Sequence, residues 1–189
     1  MLITVAKGSV MDYHPKKNPA LQNFNKARFT NQNYSDATLL SADFQLDLLQ
    51  QHVLASSQRL LAAMEVTRLE AKAQGQTRLS MDSILDQNSA LSQEFARALI
   101  EHWTLQEFVN VEKQSGSTSP LTLVRQLHAL WILDTSTDIV RRRYLDEVVQ
   151  DRIRDLVGAA IHRVHENVDA LVDAFGVPDH LSGTIAGDW

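Results

Sequence analysis

The stretch LDEVVQDRIRDLVGAAIHRVHENVDALVDAF, residues 145–175, decides the fold of this chain. Its apolar residues recur every three or four positions for about eight turns, which is the period of one buried helix face. They are Leu145, Val149, Ile153, Leu156, Ala160, Val164, Val168, Leu171 and Phe175. Gly176 and Pro178 follow, and these residue types typically end a helix. The stretch therefore predicts one long amphipathic helix.

Three further helices of the same kind are predicted upstream. The first follows the N-cap residue Ser41 and ends before Gly75, a residue suited to the left-handed position after a helix. The second spans about residues 89–114. The third opens at Ser119 and Pro120, an N-cap residue followed by proline at the first helical position. No stretch predicts a strand, so we expect an all-α fold, an up-down four-helix bundle over residues 43–189.

Residues 1–42 form a separate part, with a helix over 1–13 and then a long connector rich in proline and asparagine. The helix has an apolar stripe but no capping residue before it. A connector of this length is unusual inside a compact domain, and its spaced aromatic residues suggest anchoring. We expect this part to dock on a partner chain through Leu2, Val5, Val10, Phe24, Phe29 and Tyr34. The alternative is a leader without fixed structure.

Composition limits the classes of function. The chain has 189 residues, of which 44% are hydrophobic and 22% charged, and a net charge of −5. The negative charge argues against a general nucleic-acid binder, and the absence of cysteine excludes disulfides and thiolate chemistry. No apolar run approaches the length of a membrane span, and no secretory signal or peroxisomal address is evident. The sequence favours a cytoplasmic protein.

The search for chemistry assigns no catalytic residue and no metal site. A di-iron bundle needs glutamate with histidine three positions later, and no such pair occurs. His162 and His165 beside Glu166 could share a helix face and bind a metal, but two partly exposed polar residues are the preferred interpretation. His102 and His128 lie near apolar faces and are interpreted as hydrogen-bonded core histidines.

Two other features have a structural interpretation and a functional alternative. The cluster RRRYLDE, residues 141–147, is interpreted as a solvated helix face, although it could meet a phosphate or an acidic partner. Trp103 and Trp131 are interpreted as core or interface anchors rather than parts of a cofactor site. From the residues alone, the chain is a helical bundle without an evident active site.

Two segments resemble acyl-CoA oxidases, flavoproteins of the acyl-CoA dehydrogenase superfamily. LVDAFGVPDHL, residues 171–181, followed by GTIAGDW, resembles the C-terminal signature of these oxidases. LITVAKGSVMDY, residues 2–13, resembles a family segment of the form LLQLVAKGLLTDY. The order of helices between them is similar to the second C-terminal helical domain of the family. Thr184 departs from the pattern, because a proline is commoner there.

The resemblance implies a role in β-oxidation of fatty acids, in which an acyl thioester is desaturated between its α and β carbons. In the family, a glutamate just upstream of the VAKG-like helix removes the α-proton, and FAD accepts the hydride. Met1 falls a few residues after the position of that glutamate, so no family catalytic residue is carried onto this chain. The resemblance thus implies a small, non-catalytic subunit of a hetero-oligomer, with FAD and the glutamate held by a larger subunit.

Two alternatives remain at this point. The chain could be a free-standing helical interaction or scaffold protein derived from the oxidase domain, or a fragment of a full-length oxidase. The three interpretations agree on the fold. The fragment interpretation predicts the same contacts as the two-chain one, whereas the scaffold interpretation predicts no oxidase partner.

Overall fold

The described part of the chain is mostly helical. The computed structural model describes residue 29 and residues 33–76, 79–115, 120–136, 139–140 and 144–174. Within these residues seven helices follow one another: α1 (Asp36–Leu39), α2 (Ala42–Ala73), α3 (Met81–Gln87), α4 (Ser89–Ser115), α5 (Pro120–Thr135), α6 (Glu147–His165) and α7 (Val168–Ala174). The all-α prediction is confirmed, while the up-down order of the long helices stays a prediction.

Local capping fixes both ends of α2, as the sequence predicted. Ser41 adopts an extended conformation before the helix, and its hydroxyl accepts a hydrogen bond from the Phe44 amide at 3.3 Å. At the other end Gly75 has a φ of +78°. Its amide donates to the Lys72 carbonyl, and the next amide, of Gln76, donates to the Ala71 carbonyl. This is the pairing of a Schellman motif, which satisfies carbonyls that a helix end leaves open.

The long helices pack in pairs, α2 with α4 and α5 with α6, and α4 also contacts α5. Two clusters of buried side chains result. The larger one joins the first half of α2 to α4, α5 and α6, with Leu48, Leu105, Leu133 and Ile153 among its fully buried members. The smaller one joins the second half of α2 to α3 and the first half of α4, around Leu60 and Phe95.

The short helix α3 was not predicted, because seven residues are too few to show a helical period. It is defined by its start and by one anchor. The Ser80 hydroxyl accepts a hydrogen bond from the Ser83 amide at 3.1 Å, and Ile84 is the helix's buried residue. Asn88 closes the helix with a side-chain bond to the Ile84 carbonyl at 2.8 Å. Local side-chain bonds of this kind are hard to detect from hydrophobic spacing alone.

The prediction of one continuous helix over 145–175 is wrong, since α6 and α7 are separated at Glu166 and Asn167. The Asn167 side-chain amide donates to the Arg163 carbonyl at 2.9 Å, and the Asn167 backbone amide donates to the Val164 carbonyl three residues back. Asparagine competes in this way for backbone groups that would continue the helix. The apolar period continues past the break in the sequence, but the buried residues end with α6.

No helix in the described ranges combines the length and the apolarity that crossing a lipid bilayer requires.

Candidate functional site

The end of the connector is held to the bundle by aromatic side chains. Phe29 is 3% exposed and Tyr34 is 9% exposed. Both contact Phe44 of α2, with ring centroids 6.1 Å and 4.7 Å away, and the Tyr34 hydroxyl donates to the Phe29 carbonyl at 3.5 Å. Edge-on and tilted ring pairs at these separations are favourable beyond the area they bury. This end of the connector is therefore part of the bundle's core.

An arginine of α6 fixes the same segment from the side. The Arg152 guanidinium donates to the Tyr34 carbonyl at 2.9 Å and to the carboxylate of Asp36. Asp36 lies in the first turn of α1, whose N-cap Ser35 accepts a hydrogen bond from the Thr38 amide. Because both charged groups are partly exposed, the pair adds little to the stability of the fold and serves mainly to position the end of the connector.

A second arginine, Arg125 of α5, is 3% exposed and joins three elements. Its Nε donates to Glu112 at the end of α4 at 2.6 Å, and one terminal nitrogen donates to the Gln45 side chain of α2 at 2.6 Å. The other terminal nitrogen reaches the Leu40 carbonyl at 3.4 Å, and the Thr122 hydroxyl donates to Glu112 at 2.7 Å. A buried charge is tolerated only with such a full set of partners.

The predicted partner-interface residues have different placements. Phe29 and Tyr34 lie in this chain's own core cluster. The other four predicted interface residues, Leu2, Val5, Val10 and Phe24, lie outside the described residues. Docking of residues 1–42 on a partner therefore stays a prediction, and the two described aromatics serve to attach the connector to the bundle.

Two histidines, His102 of α4 and His128 of α5, are partly buried. Burial lowers the pKa of His102 and of His128 below the ordinary value of 6.5. The His128 ring lies 5.4 Å from the ring of Phe108. Within the described part of the chain, His102 Nδ1 and His128 Nε2 have no hydrogen-bond partner, which differs from the expected hydrogen-bonded core histidines.

The other candidates from the sequence do not come together as a site. His162 and His165 are exposed on α6. Across the described ranges, no group of three or more histidine, cysteine, aspartate or glutamate side chains is placed to hold a metal. The arginines at 141–143 lie outside the described residues.

A shallow apolar groove lies on α4. It encloses about 490 Å³. Its residues are spaced along one side of α4, and one residue of α5 closes it: Ile100, Trp103, Thr104, Glu107, Phe108 and Val111, with Leu121. This is the side of α4 away from its buried residues Phe95, Leu99 and Val109. The sequence contained a signal for this groove, since positions 100, 103, 104, 107, 108 and 111 lie three or four residues apart and so share one side of a helix.

Both helix tryptophans are exposed. Trp103 in the groove is 44% exposed, and Trp131 on α5 is 53% exposed. Of the two interpretations given for them, a core position is wrong and an interface anchor remains. Exposed aromatic side chains that lie together with other apolar residues typically mark interaction sites.

Comparison with known proteins gives the family. The family model described as acyl-CoA oxidase matches residues 48–184, which is more than half of the chain. The chain belongs to the acyl-CoA oxidase family. A curated protein of Arabidopsis thaliana, named as a putative acyl-coenzyme A oxidase, is 29% identical over 102 residues. That alignment covers 52% of this chain, and the chain spans about half, 54%, of the length of this acyl-CoA oxidase relative. No solved structure matches the chain.

Acyl-CoA oxidases use FAD, and neither the partners of Arg125 nor the groove on α4 fits this group. The FAD pyrophosphate needs cations or open backbone amides. The buried Arg125 already donates to Glu112 and Gln45, so its charge is occupied. The groove on α4 presents the carboxylate of Glu107, which would repel a phosphate.

Proposed function

We propose that this chain is the small, non-catalytic subunit of a cytoplasmic, two-chain, FAD-dependent enzyme related to acyl-CoA oxidases and dehydrogenases. The assembly desaturates an acyl thioester between the α and β carbons. A larger subunit carries FAD and the glutamate that removes the α-proton. This chain supplies the helical domain that completes the fold of the enzyme.

One observation carries the proposal: the acyl-CoA oxidase match from residue 48 to residue 184 runs through α2 to α7, where neither the partners of Arg125 nor the groove on α4 fits FAD. A domain of an oxidase that does not itself hold the flavin must act next to one that does. The relative's name supports the reaction class, since it is called a putative acyl-coenzyme A oxidase.

The division into residues 1–42 and 43–189 stays a proposal, in which the end of the first part is anchored on the second. Arg152 and Arg125 hold the backbone carbonyls of Tyr34 and Leu40, and these arginines come from different helices. Two fixed points on either side of α1 set the direction in which the chain leaves the bundle. We propose that the segment before them docks on the larger subunit, through Leu2, Val5, Val10 and Phe24.

The test is co-expression of this chain, carrying the only affinity tag, with the reading frames that flank its gene. The expected result is a yellow complex whose visible spectrum shows bound flavin and which oxidises an acyl-CoA with a change in that spectrum. This chain expressed by itself serves as the control, and we expect it to be folded and colourless.

Two results would contradict the proposal. A helical, well-folded chain that is purified without a partner under all these conditions would favour the free-standing scaffold protein instead. Flavin bound stoichiometrically by this chain alone would show that it is not the non-catalytic half.

A further inference from the structure

The groove on α4 is apolar over nearly its whole length. Within it Ile100 is 54% exposed, Trp103 44% and Val111 45%. These three residues lie at i, i+3 and i+11 of one helix, so they line a single continuous side about three turns long. Leu121 of α5 forms the opposite wall. A groove of this shape accepts the apolar face of another helix, by the mode in which anchors at i, i+3, i+4 and i+7 enter a hydrophobic groove.

One charged residue lies among these apolar ones. Glu107 is the single charged side chain that lines the groove, and it is exposed. One of its oxygens accepts a hydrogen bond from the Asn110 side-chain amide at 3.3 Å. A second helix that covers the groove would take water away from this carboxylate. The carboxylate then needs a cationic partner from that helix, because an unpaired buried charge is costly.

We propose that the α4 groove docks an amphipathic helix of the FAD-bearing subunit, which fills it with apolar side chains and pairs a lysine or arginine with Glu107. This inference rests on the proposed function, since it assigns the surface through which that complex forms. Trp103 is the central anchor of the contact. The exposed tryptophan of α5, Trp131, lies outside the groove lining and is not part of it.

The charge of the groove argues against a second copy of this chain as its occupant. A symmetric dimer uses the same patch on both copies. Two grooves placed face to face would bring Glu107 of one copy towards Glu107 of the other inside an apolar contact. Like charges that lose water in this way repel each other. The net charge of −5 on the whole chain adds to that repulsion.

The test compares two tryptophans that are about equally exposed. Trp103→Ala removes a tryptophan side chain from the groove, and Trp131→Ala removes one from outside it. We expect Trp103→Ala to weaken the complex with the co-expressed flavin subunit about thirtyfold, the typical effect of an aromatic anchor at the centre of an interface. We expect Trp131→Ala to leave the dissociation constant within about threefold. Equal effects of the two variants, or a larger effect at Trp131, would overturn the proposal.

Charge reversal tests the basic partner independently of the tryptophan. Glu107→Lys places a cation opposite the proposed lysine or arginine, so we expect it to weaken the complex more than Glu107→Gln does. Since Glu107 is exposed, both variants should keep the unfolding midpoint of the free chain. Binding that is unchanged by Glu107→Lys would show that no basic residue meets this carboxylate.

The design separates failure of this inference from failure of the proposed function. If the unmodified chain captures a flavin subunit and Trp103→Ala does not weaken it, the groove is not the interface but the function stands. If the unmodified chain captures no flavin subunit, the result contradicts the proposed function itself. A chain that dimerises by itself, and loses the dimer on Trp103→Ala, would show that a second copy occupies the groove.

Discussion

Arg125 Nε donates to Glu112 Oε2 at 2.6 Å, and the two residues belong to consecutive helices, α5 and α4. Their side chains are 4% and 16% exposed, so the pair lies largely out of water. The residues are thirteen positions apart in the chain, and Gln45 from the start of α2 completes the set. A buried pair of this kind contributes chiefly to which helices meet, because its desolvation offsets much of its attraction.

Removal of one member of this pair should destabilise the chain strongly. Glu112→Ala leaves the Arg125 charge buried without its carboxylate, and we expect the free energy of unfolding to fall by about 3 kcal/mol. Urea denaturation followed by circular dichroism measures this. The control is Glu65→Ala, which breaks the exposed pair of Glu65 with Arg68 and should cost less than about 0.5 kcal/mol. Similar losses for the two variants would show that the buried pair has no special role.

Stability should fall as the pH falls below neutrality. Burial lowers the pKa of His102 and of His128 below 6.5 in the folded chain, so the unfolded chain binds more protons in the range below 6.5. The free energy of unfolding therefore rises with pH through that range. The contribution of the two histidines is fully present above pH 6.5 and is lost as the pH falls through their folded-state pKa. Urea titrations between about pH 8 and about pH 5 measure the slope. The double variant His102→Gln and His128→Gln should have a shallower slope, and an unchanged slope would assign the effect to other groups.

Replacement by alanine should lower the stability of the fold at one glycine and raise it at another. Gly75 has a φ of +78°, a conformation that costs alanine about 1 kcal/mol, although a Cβ there meets nothing within 4 Å. Gly158 lies inside α6 and also has open space for a Cβ, so Gly158→Ala should stabilise by about 0.5 to 1 kcal/mol through helix propensity. Thermal unfolding of the two variants side by side measures both. A loss of stability on Gly158→Ala would contradict this reasoning.

Replacement of Asn167 should join α6 to α7. Asn167→Ala removes the side-chain bond to the Arg163 carbonyl and introduces the best helix former, so the helix should continue through residue 166. We expect a slightly larger helical signal in circular dichroism and a gain of about 0.5 kcal/mol in unfolding free energy. Asn88→Ala is the contrasting variant, because Asn88 also bonds to Thr67 at 3.0 Å and its removal should destabilise. No change in helical signal on Asn167→Ala would place the cause of the break elsewhere.

The parts of the fold that depend on neighbouring residues were predicted well. The start of α2 after Ser41, its end at Gly75 and the start of α5 at Pro120 all follow from residues within a few positions of the helix end. Capping and proline geometry act locally, so the sequence carries them in full. The helix break at Asn167 is equally local, but hydrophobic period alone does not detect a side chain that competes for a carbonyl.

The candidate surface could be predicted only in part. The spacing from Ile100 to Val111 and the presence of Trp103 were visible, and Trp103 was expected to lie in the core or in an interface. The choice between the two depends on whether another helix of the same chain covers that side of α4. In the described part of the chain α2 covers the side with Phe95 and Leu99, and Trp103 stays exposed.

The sequence by itself determined the long helices α2, α4 and α5, most of their ends and the resemblance to acyl-CoA oxidases, because each depends on residues close together in the chain. Only the tertiary structure decided which apolar side of α4 is buried, that Phe29 and Tyr34 pack inside this chain, and that Arg125 joins α2, α4 and α5. These outcomes depend on contacts between residues far apart in sequence. A helix with two apolar sides buries the one that its neighbours reach and leaves the other exposed.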